Sequence, residues 1–296
     1  MILRLSSCLR AALLGASVSF SAPAPGLAAA EEKLQFPDAS QHATIKQRVG
    51  LTDVEIDYSR PDMRGREIFG GLVPYEKVWR TGANEPTKIK FSDAVKIGGQ
   101  AVPAGEYAFY TIPNKNEWTI ILSKNTKLWG AYGYKPDADL LRVTVKPTTL
   151  ANPVETFTIG FDDLKDDGAT ISLEWEKTRV PVELTTNTME KLSAEIETAL
   201  KDPKSLEPRF YYQAASFYYD HDKDLETAAK WIDQAIEKQQ PARYFMYYKK
   251  AQIEAKLGHK AEAKTAAEKS IELLKAEKEP DETAIRNSQL LIDGLH

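Results

Sequence analysis

Five basic residues lie close together in a stretch that is rich in glycine and aromatic residues. They are Arg60, Arg64, Arg66, Lys77 and Arg80. The same stretch holds the acidic residues Asp62, Glu67 and Glu76, so its net charge is +2, whereas the whole chain has a net charge of −4. The planar guanidinium group of arginine forms paired hydrogen bonds with carboxylate or phosphate. The first chemistry that the sequence suggests is therefore the binding of an anion.

Aromatic and amide side chains accompany the arginines. Trp79 and Asn84 belong to the same stretch, and Trp129 and Tyr132 follow in a second segment that contains glycine. An aromatic ring offers an apolar face to a sugar or to another ring, and an asparagine amide both donates and accepts hydrogen bonds. The predicted ligand-binding residues are Arg60, Arg64, Arg66, Trp79, Arg80, Asn84, Trp129 and Tyr132.

Two other interpretations of this stretch stay open. Arginine also binds the carbonyl groups of a long loop or pairs with carboxylates, while tryptophans fill the core below, which would make the stretch a scaffold without a ligand. A glycan-directed hydrolase would need a pair of carboxylates. Only Glu67, Glu76 and Glu85 border the arginines closely enough to be tested for that role. Binding is favoured over catalysis.

Residues for metal or nucleophilic chemistry are scarce. The chain has four histidines, of which only His42 lies in the N-terminal half, and Cys8 is the only cysteine. A zinc site needs clustered histidine or cysteine, and a serine hydrolase is typically marked by Gly-x-Ser-x-Gly. The acidic turn at residues 162–168 lacks the ligand spacing of a calcium loop. The sequence predicts neither a metal site nor a cofactor.

The first 30 residues have the pattern of a secretory signal peptide. Arg4 and Arg10 precede an apolar segment at residues 11–20, and alanines at 28–30 form a cleavage site. The apolar segment is about half as long as the roughly 20 residues that span a membrane. Cleavage near Ala30 predicts a periplasmic or secreted protein that has no integral membrane segment.

The mature chain is acidic. Without Arg4 and Arg10, 37 of the 39 basic residues remain against 43 acidic ones, which gives a net charge of −6. An acidic chain of this kind is a poor partner for nucleic acid, so no nucleic-acid partner is expected.

The half of the chain that holds the arginines alternates between apolar and polar residues. This period of two is typical of half-buried strands. The predicted strands are residues 44–49, 54–58, 88–91, 107–112, 118–122, 141–145, 157–161 and 171–175. Turn signals such as Gly98-Gly99 separate the strands, and there is no room for crossover helices. The pattern therefore predicts an antiparallel β-sandwich at residues 36–184, with a barrel as the alternative.

Beyond residue 185 the apolar period becomes helical. Helices are expected at residues 189–200 and 284–295, and between them residues repeat at an offset of 35. The matched pairs are Tyr212 with Tyr247, Ala228 with Ala263, Ala235 with Ser270 and Ile236 with Ile271. Small residues at this spacing resemble the tetratricopeptide pattern, in which paired helices approach closely. Residues 188–296 are thus predicted to form a helical repeat domain, and an unrelated pair of helical hairpins is the alternative.

Five sequence blocks of the β-rich half resemble one known family. They are VGLT (49–52), YSRP (58–61), FGGLVPY (69–75), VWRTGANE (78–85) and LWGAY (128–132). The resemblance is to the bacterial domain-of-unknown-function family numbered 2911, over about residues 36–184. It implies export and a β-rich fold, and it assigns no catalytic residue because the family has no established activity.

These observations predict an exported protein of two domains, β-rich and then helical. The leading hypothesis is a binding or assembly module. Its β domain would recognise a small anionic, saccharide or peptide ligand through the arginine and tryptophan residues, and its helical domain would engage a protein partner. The alternatives are a hydrolase of envelope glycans and a periplasmic scaffold that binds no ligand.

Overall fold

The structure, a computed structural model, describes residues 36–295. The predicted signal peptide at residues 1–30, which includes Cys8, lies outside the described residues, and so does His296. From Ser40 onward the chain forms a single unit, which contains all the strands and helices given below.

Ten strands occupy the first part of this unit. They are β1 (Gln41–Val49), β2 (Thr52–Arg60), β3 (Ala83–Phe91), β4 (Val95–Ile97), β5 (Gln100–Val102), β6 (Gly105–Ile112), β7 (Trp118–Ser123), β8 (Asp139–Val145), β9 (Thr148–Lys165) and β10 (Gly168–Thr186). All eight predicted strands fall within them. One sheet has the order β1-β2-β3-β6-β7-β8 and the other has the order β5-β4-β10-β9. Neighbouring strands are antiparallel throughout, so the predicted antiparallel architecture is confirmed.

The two sheets contribute side chains to one hydrophobic core. The ring of Tyr58 on β2 meets the edge of Phe157 on β9 at 5.8 Å between ring centroids. The Tyr58 hydroxyl also accepts a hydrogen bond from the backbone N–H of Ile159 at 3.0 Å. Val54, Ile56 and Tyr58, alternate residues of β2, are all buried in this core, which is the physical basis of the period of two in that part of the sequence.

Six α-helices follow the strands. They are α1 (Thr188–Ala199), α2 (Pro208–Asp220), α3 (Leu225–Lys238), α4 (Tyr244–Leu257), α5 (Lys260–Lys275) and α6 (Glu282–Asp293). The predicted helices at 189–200 and 284–295 correspond to α1 and α6. In the part of the chain that the structure describes, no helix is both long and apolar enough to cross a membrane.

Small residues lie where the helices pack against one another. Ala228, Ala235, Ala263 and Ser270 are fully buried. The Ser270 hydroxyl on α5 donates to the backbone oxygen of Tyr244 on α4 at 3.0 Å, so the polar group is satisfied inside the helical core. These residues form two of the four pairs that match at an offset of 35 in the sequence, and a tetratricopeptide-like arrangement stays a prediction.

A close contact joins the β1–β2 turn to the first helix. The Thr188 hydroxyl accepts a hydrogen bond from the backbone N–H of Leu51 at 3.3 Å. A Cβ atom on Gly50 would lie 2.0 Å from that hydroxyl oxygen and 2.1 Å from the backbone oxygen of Asp166, and Gly50 has a φ of +57°. Only glycine fits here, which gives the VGLT block a structural reason.

Candidate functional site

The segment that holds the arginines connects β2 to β3 and is tied to both sheets. The backbone of Trp79 exchanges hydrogen bonds with Thr111 on β6, at 2.7 and 3.0 Å. The backbone N–H of Met63 donates to Glu155 on β9 at 2.8 Å. The segment, residues 61–82, is called the connecting loop below. Because both sheets hold it, the backbone of the connecting loop is fixed at these points.

Buried side chains anchor the connecting loop from below. Ile68, Phe69, Val73 and Trp79 all belong to the core between the sheets. The Phe69 ring meets the edge of Trp118 at 4.9 Å between centroids. The Trp79 indole N–H donates to the backbone oxygen of Gly82 at 3.1 Å, so its polar group is satisfied internally. Trp79 is thus mainly a core residue, and only part of it is available to a ligand.

Arg60 faces inward, across the gap between the sheets. Its Nε donates to the backbone oxygen of Phe157 at 3.1 Å, and its Nη2 donates to the Thr158 hydroxyl at 2.8 Å. Both acceptors lie on β9, so the guanidinium links the end of β2 to the second sheet. This predicted ligand-binding residue thus donates to the protein itself.

Arg64 and Arg66 lie on the exposed part of the connecting loop. The Arg66 guanidinium donates to the backbone oxygens of Met63 at 2.9 Å and Asp62 at 2.6 Å. The Arg64 guanidinium lies 3.6 Å from the Asp62 carboxylate, and its backbone N–H donates to the Glu155 carboxylate at 2.8 Å. Both arginines therefore support the local loop backbone, although Arg66 keeps donors that these two bonds do not use.

Arg80 differs from the other arginines of the connecting loop. Its side chain is partly buried, and among the described residues no protein group accepts a hydrogen bond from it or forms an ion pair with it. Its Nε is fully buried without a partner. Burial lowers the pKa of the guanidinium, and the nearby Tyr132 opposes that shift. A partly buried cation without a counter-ion is unfavourable unless another group supplies the missing charge.

Arg80 lines a cavity of about 360 Å³ beside the connecting loop. Two further cations, Arg66 and Lys77, line the same cavity, and none of the described lining residues is Asp or Glu. The buried rings of Trp79 and Trp175 contribute apolar surface. The cavity thus combines three positive charges with aromatic surface, which is a suitable environment for a small anion.

Lys77 and Trp175 line the cavity although neither is a predicted ligand-binding residue. Lys77 contributes to the net positive charge of residues 60–80, and that charge is the sequence signal that could have identified it. Trp175 comes from β10, far along the chain, and packs parallel to Trp79 at 5.8 Å between ring centroids. No local pattern in the sequence marks Trp175, because the two sheets must form before it reaches the cavity.

Asn84 lies next to the cavity rather than in its lining. It is exposed, at the start of β3, with a φ of +56°. Its amide nitrogen donates to the Ser59 hydroxyl at 3.2 Å and to the backbone oxygen of Ser40 at 3.4 Å. The amide therefore fixes neighbouring backbone, while Gly82 and Ala83 provide the lining at this point.

Trp129 and Tyr132 lie on a turn beside Arg80. Their side chains are 63% and 80% exposed. A Cβ atom on Gly130 would lie 3.7 Å from Cδ of Arg80 and 3.5 Å from Cδ2 of Tyr132, so both side chains flank the same point of the turn. Gly130 has a φ of +61°, which favours glycine. The structure thus brings Tyr132 close to Arg80 and leaves the Tyr132 ring in contact with solvent.

A hydrogen-bonded cluster lies below this turn. The Tyr110 hydroxyl donates to the backbone oxygen of Gly130 at 3.4 Å, and its ring meets Tyr134 at 5.2 Å. The Asp139 carboxylate accepts from Tyr134 and from Arg142, both at 2.7 Å. Burial, helped by the hydrogen bond to Asp139, raises the pKa of Tyr134 to about 12. These contacts hold the turn from beneath, because Tyr110 and Tyr134 pack under it.

The three carboxylates named for a hydrolase do not meet in the cavity. Glu67, Glu76 and Glu85 are exposed, and none of them is part of the described cavity lining. Glu85 forms an ion pair with Lys88 at 3.4 Å. Hydrolysis of a glycosidic bond needs two carboxylates on either side of the scissile bond, and the described cavity lining contains no such pair.

The histidines are dispersed. His42 is exposed and lies 3.1 Å from the Asp57 carboxylate, and His221 lies 3.2 Å from Asp166. The acidic turn provides Asp166 to this contact between the β-rich and helical parts of the unit. Within residues 36–295, no three His, Cys, Asp or Glu side chains are grouped in a way that could hold a metal ion.

Comparison with known proteins places the β-rich part of the chain in a family. Residues 40–184 match the model of a family described as Protein of unknown function (DUF2911). The match spans the strands, the connecting loop and the turn that carries Trp129 and Tyr132. No curated protein and no solved structure matches the chain at a significant level.

Proposed function

The domain at residues 40–184 belongs to the DUF2911 family, and we propose that it binds a small anionic ligand in the cavity beside Arg80. The single observation that carries this proposal is the Arg80 side chain. It is partly buried in a cavity wall, and it has neither an ion pair nor a hydrogen bond among the described residues. The other arginines of the stretch interact with the protein itself.

The charge of the cavity supports the same conclusion. The chain as a whole is acidic, with a net charge of −4, yet Arg66, Lys77 and Arg80 line a single cavity without an acidic neighbour in the described lining. Lys77 is exposed and forms no ion pair with any described residue. Like charges placed together repel one another, so a bound anion would relieve that repulsion and be held by all three.

The helical part has a proposed role of its own. We propose that α2 to α5 form two tetratricopeptide-like units, which α1 and α6 cap, and that this part engages a protein partner. The support is that Ala228, Ala235, Ala263 and Ser270 are all fully buried at an offset of 35 residues. An experimental structure in which α2–α3 and α4–α5 do not superimpose as equivalent pairs would contradict the repeat.

We also propose that the protein is exported and cleaved near Ala30, to act in the periplasm or outside the cell. The support is the charge and apolar pattern of the first 30 residues. Mass spectrometry of the protein isolated from its native host should find Glu31 at the N-terminus. Recovery of the uncleaved chain from the cytoplasmic fraction would contradict this.

Ligand binding is tested by thermal unfolding of wild-type protein and two variants with phosphate, acetate or glucuronate at constant ionic strength. Arg80→Met removes the proposed anchor, and Arg286→Met removes an exposed arginine of α6 as the matched control. At about ten times its dissociation constant, a ligand adds roughly 1.4 kcal/mol of stability. We expect at least one anion to stabilise wild type and Arg286→Met but not Arg80→Met. Equal responses of all three proteins would overturn the proposal, because phosphate also stabilises proteins without binding a site.

A further inference from the structure

The exposed ring of Tyr132 adds a second chemical property to the anion site. Tyr132 and Arg80 flank Gly130, with Cδ2 of Tyr132 and Cδ of Arg80 within 4 Å of the point where a Gly130 Cβ would lie. Tyr132 is 80% exposed, and Trp129, on the same turn, is 63% exposed. The Tyr132 ring thus remains in water next to a cation that has no partner among the described residues, and a second exposed aromatic side chain lies on the same turn. Clusters of this kind typically mark binding sites.

The turn is held in place rather than left to move freely. The Tyr110 hydroxyl donates to the Gly130 backbone oxygen, and Tyr134 packs edge-on against the Tyr110 ring. Tyr134 in turn donates to the Asp139 carboxylate, whose side chain is only 8% exposed. Because the turn is fixed from below, the backbone that carries Tyr132 has a defined position before any ligand arrives. Less conformational entropy is then lost on binding than for a side chain on a free loop.

We propose that the ligand is an acidic sugar, whose carboxylate binds Arg80 while one apolar face of its ring stacks on Tyr132. This inference rests on the proposed function and adds the class of ligand to it. A pyranose has C–H groups on its faces and hydroxyl groups around its edge. One face can therefore lie on a tyrosine ring while the hydroxyl groups stay in water or meet donors of the site.

The lining of the cavity suits the hydroxyl groups of such a sugar. Lys77 and Arg66 present N–H donors, and Ser40 and the backbone of Gly82 also line the cavity. A hydroxyl group both donates and accepts hydrogen bonds, so it can use each of these groups. The cavity and the adjoining turn thus provide an aromatic ring, cations and polar groups, which are the three kinds of partner that an acidic sugar can use.

An aromatic carboxylate is the nearest competing ligand, and the exposure of Tyr132 argues against it. A planar aromatic acid gains most when both of its faces leave water between apolar walls. Tyr132 lies beside the described cavity lining and is 80% exposed, so it provides no second wall, and the rings that do line the cavity, Trp79 and Trp175, are buried in the core. A ligand with hydroxyl groups around its edge loses less binding free energy in such a half-open site, because those groups remain hydrated. Benzoate is therefore the competitor in the test.

The test compares the affinities of four probes by isothermal titration calorimetry: glucuronate, glucose, acetate and benzoate. Wild-type protein should bind glucuronate about three- to tenfold more tightly than acetate, because stacking adds to the charge interaction. The Tyr132→Ala variant should still bind acetate, but its affinities for glucuronate and acetate should be about equal. Tyr132→Phe should retain the preference, because it retains the ring. Arg80→Met should bind neither glucuronate nor acetate.

The outcomes separate this inference from the proposed function. If acetate and glucuronate bind equally well and Tyr132→Ala changes neither affinity, the sugar assignment is overturned while the anion site stands. The same holds if benzoate binds as tightly as glucuronate with the same dependence on Tyr132. If Arg80→Met leaves every affinity unchanged, the anion site and the sugar assignment both fail. Since Tyr132 is exposed, these variants are expected to fold, and circular dichroism checks that they do.

Discussion

The indole rings of Trp79 and Trp175 stack 5.8 Å apart with only 16° between their planes. Trp79 belongs to the connecting loop and Trp175 to β10, so the stack ties the loop to the second sheet. The residue after Trp79 is Arg80, which lines the cavity. A buried aromatic pair therefore fixes the backbone from which the unpartnered guanidinium extends.

Replacement of Trp79 by alanine should strongly destabilise the protein. The side chain is 7% exposed and packs on Phe69, Trp118 and Phe157 as well as on Trp175. Loss of a buried tryptophan typically costs about 3–5 kcal/mol of unfolding free energy. Urea denaturation measures the change. The control is Trp129→Ala, which removes an exposed tryptophan and should cost no more than about 0.5 kcal/mol. Similar losses in both would contradict the assignment of Trp79 to the core.

Arg60→Met should lower stability without affecting anion binding. The guanidinium donates to Phe157 and Thr158 on β9, and hydrogen bonds that involve a charged group contribute about 1.5–3 kcal/mol. Arg243→Met, at an exposed residue of the helical part, is the matched control for stability. If Arg60→Met abolished binding of an anion that Arg80→Met still bound, the assigned roles of the two arginines would be reversed.

Tyr134→Phe should weaken the support of the turn. The variant deprives the Asp139 carboxylate of a hydrogen-bond donor, and the other oxygen of that carboxylate is already buried without a partner. The carboxylate keeps its bond from Arg142, so the variant removes one hydrogen bond to a charged group, which contributes about 1.5–3 kcal/mol and can be measured by chemical denaturation. Tyr132→Phe removes a hydroxyl from an exposed ring and should leave stability unchanged. An equal effect of the two variants would show that the cluster does not hold the turn.

The ion pair between His259 and Glu254 should make stability depend on pH. A hydrogen bond to Glu254 raises the pKa of His259 above its ordinary value of 6.5, and the negative charge of Glu254 adds to the effect. The folded state thus has the higher pKa. The stability that the His259–Glu254 pair contributes is complete below about pH 6.5, and it is lost as the pH rises through the raised pKa of His259.

Melting temperatures of wild type and His259→Gln at about pH 5.5 and about pH 8.5 test this direction. The wild type should exceed the variant at the lower pH, and the difference should shrink at the higher pH. The variant removes the imidazole that lies 2.8 Å from the Glu254 carboxylate. The effect should be measurable because the Glu254 side chain is buried. A difference that stays constant or grows with pH would contradict the assignment.

The regular part of the fold was predictable because its periodicity is local. Every predicted strand lies within an observed strand, since alternation over several residues reports which face is buried. Val95–Ile97 and Gln100–Val102 are strands of three residues each, which is too short for a period to be recognised. Only the Gly98-Gly99 turn between them was marked by the sequence.

The sequence does not predict in the same way whether each arginine side chain faces the protein or the cavity. Arg60 binds residues 97 and 98 positions further along the chain, and Arg80 has no protein acceptor at all among the described residues. Both differences depend on how the sheets meet, and the connecting loop has no period that would reveal which side a residue faces. Composition could identify the cationic stretch, but only the packed sheets distinguish a structural arginine from one that is available to a ligand.

The central claim is that Arg80 is the anchor of an anion site. The most direct measurement is a titration of ¹⁵N-labelled protein with glucuronate, followed through the arginine Nε–H signals in NMR spectra. The Arg80 signal, identified by its absence in Arg80→Met, should shift in a saturable manner while the Arg60 and Arg286 signals stay in place. An Arg80 signal that does not move, or that moves no more than that of Arg286, would contradict the account.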